Sequence, residues 1–132
     1  MVDITHSDLL VQINLPLEVL RTICIDDLQT MNEEQSQRYQ AFVLGFIMAV
    51  ADEYNYASKI TDFLRFYTQK RFQEHAEVML EFYCHLIAVD DAYLLQKRLG
   101  YEVAHIMRTP GSIADKDPES MFRAAVWGTS AT

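Results

Sequence analysis

Glu102 and His105 stand three positions apart in Glu102-Val103-Ala104-His105, a spacing that puts a carboxylate and an imidazole on one face of a helix. Carboxylate-bridged di-iron bundles use two such motifs and two further Glu, and this chain has one. If the helices on either side of Asp90 run antiparallel, His85 falls roughly 15 Å along the axis from the level of His105, at about 1.5 Å per residue. His75 falls at the right height, so His75, Glu102 and His105 form the candidate metal set. The competing reading makes all three part of solvated polar stripes; it is the one adopted, with no metal and no cofactor expected. Cys84 and His85 are adjacent in sequence, but neighbours on a helix point about 100° apart and cannot share a proton. No glycine-rich phosphate loop, nucleophile elbow or zinc spacing occurs. An enzyme is therefore not expected.

A second kind of chemistry lies in residues 59 to 72. Lys59, Arg65, Lys70 and Arg71 are interleaved there with Phe63, Phe66, Tyr67 and Phe72. Basic side chains among aromatics bind single-stranded nucleic acid by charge and stacking. The chain as a whole carries −8, however, and residues 1 to 57 hold nine acids against Arg21 and Arg38. That balance disfavours phosphates and anionic membranes. Arg65, Phe66, Lys70, Arg71 and Phe72 are accordingly expected to meet another protein, with nucleic acid as the alternative. Phe122 and Trp127, close to the C-terminus, form a second candidate contact.

The elements that must position these groups are arranged around Tyr39 to Tyr54. Eleven consecutive positions, Ala41 to Ala51, carry no polar side chain. A bilayer takes about 20 apolar residues, so this segment is expected to lie inside the protein as a helix apolar on every side. Asn32, followed by Glu33, Glu34 and Gln35, forms a capping box and sets the helix at residues 33–54. Ala41, Gly45 and Ala49 make a row of small side chains along it. Gly costs about 1 kcal/mol against Ala in a helix interior, so the row predicts a second backbone approaching closely. That neighbour is either another helix of this chain, the reading adopted, or a second copy.

Around this rod the spacing predicts four or five further helices. Leu9, Val11, Ile13, Leu15, Leu17, Val19, Ile23 and Ile25 alternate like a half-buried strand, while Pro16 suits a helix start. The expectation is a short element to Asn14, extended in one alternative, then a helix from Pro16 to about Thr30. Ser58 is expected to cap the next helix, which bends near Gln69 to Gln73 and leads into a helix over 72–89. Asp90 and Asp91 are expected to cap another, ending at Gly100 or continuing to Arg108. Thr109 to Ser112 make the clearest break, after which Asp117 and Pro118 open a short helix stopped by Gly128.

The sequence is thus read as a mainly α bundle of five to six helices: a body over 1–108, a Pro/Gly turn over 109–117 and a C-terminal helix and tail over 118–132. Two cysteines without a CxxC pattern, and no basic-then-apolar leader, fit a cytoplasmic chain with buried thiols. The expected function is non-enzymatic: an acidic module acting on another protein as regulator, inhibitor or chaperone, in one form as a homodimer.

Overall fold

The computed structural model describes residues 4–24, 29–109 and 117–128. Six α-helices are present among them: α1 (His6–Ile23), α2 (Glu33–Glu53), α3 (Ile60–Phe72), α4 (Ala76–Ala88), α5 (Leu94–Arg108) and α6 (Pro118–Trp127). Single 3-10 turns at Ala57–Lys59 and Gln73–His75 lead into α3 and α4. The described residues form no strand.

α2 is the axle of the bundle. Its capping box is in place: the Gln35 N–H donates to Asn32 Oδ1 at 2.8 Å and the Asn32 N–H to Gln35 Oε1 at 3.0 Å. Every residue from Ala41 to Ile47 is buried, as are Val50 and Ala51, while Met48 and Ala49 are half-buried, so the apolar run lies inside the bundle over most of its length. α5 covers the small-residue face. A Cβ added at Gly45 would stand 2.0 Å from the Lys97 carbonyl oxygen, and one added at Gly100 would stand 2.0 Å from that of Phe42. The two glycines thus let the backbones of α2 and α5 touch at reciprocal points. The row Ala41, Gly45, Ala49 is filled at Gly45 by the chain's own α5 and does not serve there as a groove for a second copy. Gly100 lies inside α5, which continues to Arg108.

Three turns are made without glycine. Asn55, Gln73 and Tyr93 each take a positive φ of 51–56°, which reverses the chain where the sequence carries no Gly or Pro. α3 packs along α4, and α6 lies on α5, α2 and α1. α6 has the expected ends: Asp117 accepts from the Glu119 N–H at 3.3 Å, and Gly128 closes the helix in the left-handed region. The Pro/Gly turn expected over 109–117 falls largely on residues 110–116, outside the described ones.

The N-terminal third departs from expectation. One continuous helix, α1, replaces the short element and the later start at Pro16. Its first residue is His6, because Thr5 and Asp8 form a capping box immediately before it. Pro16 sits inside it and leaves the Gln12 carbonyl without the usual N–H from residue 16. Arg108 supplies the missing donor: its Nη1 lies 3.0 Å from the Gln12 carbonyl oxygen and 3.2 Å from Gln12 Oε1. The same guanidinium makes a forked contact with the Glu53 carboxylate, at 2.9 and 3.0 Å, and donates to the Tyr54 hydroxyl at 3.2 Å. One side chain therefore ties the middle of α1 to the C-terminal ends of α2 and α5. Ile25, included in the expected alternation, and the stretch 25–28 of the helix expected to reach Thr30 lie outside the described residues.

Candidate partner-binding surface

The alternation that suggested a strand has a different meaning on α1. Positions four apart lie 40° apart around a helix, and positions two apart lie about 200° apart. The odd-numbered apolar residues are thereby divided between opposite faces. Leu9, Ile13 and Leu17, joined by Leu20 and Cys24, are buried in the core. Val11, Leu15, Val19 and Ile23 form the other ridge, and they are 51, 65, 52 and 50% exposed. At about 1.5 Å per residue this ridge runs about 18 Å along the outside of the molecule. Scattered surface apolar residues need no explanation, but four in one row form a contiguous patch.

Beside the ridge, a groove of about 220 Å³ runs between α1 and α3. Leu10, Asn14 and Glu18 form its α1 wall, with Lys70 and Arg71 opposite on α3. Arg21, largely buried, lines the groove between them and donates from Nε to the Tyr39 hydroxyl and from Nη1 to the Glu18 carboxylate, both at 2.6 Å. Burial opposes the charge on Arg21, but Tyr39, Tyr67 and Glu18 beside it more than offset that effect and hold the guanidinium protonated. Burial pushes the phenols of Tyr67 and Tyr83 up, so both remain neutral next to it. Lys70 and Arg71 are exposed and have no carboxylate within ion-pair distance among the described residues. The groove thus carries three cations against the single carboxylate of Glu18.

The other expected contact residues are distributed as follows. Arg65 is exposed and lies 3.8 Å from Asp62. Phe66 is half-buried against His6 and Phe63, with the Lys70 ammonium 5.7 Å from its ring centre. Phe72 is half-buried against Tyr67 and Tyr83. Phe63 and Tyr67 are fully in the core, so residues 59–72 turn most of their ring area inward. Phe122 is fully buried against Phe42 and Tyr39 and cannot reach a partner, because it belongs to the apolar face that docks α6. Trp127 leans edge-on against Phe122, and the Arg123 guanidinium covers part of its ring, leaving it half-buried. Cys24 is buried, whereas Cys84 is only half-buried.

The metal set does not assemble. His75 is exposed on the turn between α3 and α4, with its ring 3.8 Å from Glu74. α5 packs on α2 instead of running antiparallel along α4, which removes the register that would have brought His75 to Glu102 and His105. Among the described residues no three His, Cys, Asp or Glu side chains gather as they would around a metal ion. His105 instead borders a cleft of about 450 Å³ beside Asp52, Glu53, Tyr101 and Arg108. The charges in that cleft are engaged with one another: Tyr101 donates to Asp52 at 2.8 Å and Arg108 clamps Glu53. The Asp52 hydrogen bond holds the Tyr101 phenol above its usual pKa. These are the contacts of a brace between helices.

The outer ridge of α1 escaped the sequence reading although its signal was present: the same odd-numbered residues, taken at a spacing of four, give both faces. No helix among the described residues is long and apolar enough to cross a membrane. Comparison with protein-family models, with curated proteins and with solved structures finds no match for this chain, and a functional reading rests on the surface described above.

Proposed function

We propose that this chain is a protein-binding module, without catalytic chemistry of its own, whose contact surface is the outer face of α1. The observation that carries the reading is the row Val11, Leu15, Val19 and Ile23, each at least half exposed on a helix whose opposite face is fully used by the core. A folded chain gains nothing from such a row in water. Full burial of a side chain of this size contributes about 1.5–3 kcal/mol, so covering four half-exposed ones contributes about 3–6 kcal/mol. Helix-in-groove recognition uses rows at this spacing as anchors. A regulator or inhibitor acting by occupying a partner's surface needs no more machinery than this.

The test is the double variant L15E/V19E. Both side chains point away from the core, so the variant should stay folded, with stability within about 1 kcal/mol of the parent. Its partner binding should be lost. A native-host partner that is retained by L15E/V19E at unchanged affinity would remove α1 as the contact surface.

A further inference from the structure

The apolar row alone is too weak to hold a partner. Its roughly 3–6 kcal/mol is comparable to the lower end of the roughly 4–15 kcal/mol that association costs in lost freedom. Further contacts must come from the rim of the row. On the α3 side lies the groove lined by Arg21, Lys70 and Arg71, offset only by Glu18. It is a local excess of positive charge on a chain of net −8. We infer that the partner is an acidic amphipathic segment: its apolar residues cover Val11, Leu15, Val19 and Ile23, and its carboxylates lie along the α1–α3 groove against Lys70 and Arg71. This rests on the reading of α1 as the contact surface and adds the chemistry of what it contacts.

Charge complementarity is what selects this occupant. A basic segment would meet Lys70 and Arg71 as like charges. An antiparallel two-fold pairing of α1 with a second copy is disfavoured by symmetry, because it brings the same rim of both copies, with Lys70 and Arg71, to the same side. Charged rims of this kind act chiefly on association rate and partner choice, and are screened by salt.

The experiment is selection of helical peptides from a random display library on the immobilised full-length chain, with K70E/R71E and L15E/V19E variants in parallel and circular dichroism to confirm that each is folded. Expected are peptides rich in Asp and Glu with apolar residues three and four apart. Binding of a selected synthetic peptide should fall about tenfold or more in K70E/R71E at low salt, with much of that difference gone at high salt. It should vanish in L15E/V19E. Neutral or basic peptides that still depend on Leu15 and Val19 would overturn the inference and leave the α1 surface standing. Peptides indifferent to L15E/V19E, or no enrichment at all, would overturn both. A dimer in light scattering that dissociates in L15E/V19E would assign the face to a second copy and also overturn the inference.

Discussion

At the scale of single residues, space decides against intrinsic preference. Ala is favoured over Gly by about 1 kcal/mol in an exposed helix interior, yet a methyl group at Gly45 would sit 2.0 Å from the Lys97 carbonyl oxygen, which is backbone and cannot turn aside. Gly45→Ala should therefore destabilise the fold by about 2 kcal/mol or more, as overpacking does, measured as a lower urea midpoint at unchanged slope. Gln73 is the opposite case. Its φ of 51° with ψ of −109° suits glycine, and its side chain is exposed. Gln73→Gly should raise stability by up to about 1 kcal/mol, read as a higher melting temperature. Both positions were partly legible beforehand: the small-residue row on α2 announced a close neighbour, and a bend was expected at Gln69 to Gln73. Gly100 was not legible as the other half of the contact, because a glycine after Lys97 and Arg98 has the same composition as a helix end.

At the scale of elements, legibility followed the strength of local caps. α2 begins where Asn32 and Gln35 predict, and α6 begins and ends where Asp117 and Gly128 predict, since each of these boundaries is set by residues within a few positions of it. α1 was misread because what makes Pro16 tolerable lies far away, on Arg108. That dependence is measurable. Arg108→Met should destabilise the native chain by about 2–3 kcal/mol, since it leaves the Gln12 carbonyl and the Glu53 carboxylate without their donor. In a Pro16→Ala background the residue-16 N–H can serve Gln12, and the same substitution should cost about 1 kcal/mol less; a double-mutant cycle by urea unfolding measures the difference. Additive effects would show that Arg108 does not compensate the proline. The outer ridge of α1 was hidden for another reason: alternation looks the same whether a strand has one buried face or a helix has two apolar ones.

At the scale of the whole molecule, the C-terminal ends of α2 and α5 are held together by the fork from Arg108 to Glu53, and this sets a pH dependence. The hydrogen bonds from Arg108 hold the Glu53 carboxyl below its usual pKa. A group depressed in the folded state adds stability that is full above its unfolded value, near pH 4.3, and that is lost as pH falls through the folded value. Glu53 is half exposed, so its share is small. Glu53→Gln should flatten the acid limb of the stability curve between about pH 5 and 3, measured by thermal melts across that range. The Gly45 notch carries a different consequence, for a chain emerging from the ribosome. α2 is complete by residue 53, but the helix that seals its small-residue face is not begun until residue 94. For some forty residues of synthesis the greasiest segment of the protein has one side uncovered. A nascent chain stalled in that interval would be sticky until α5 emerged to seal it.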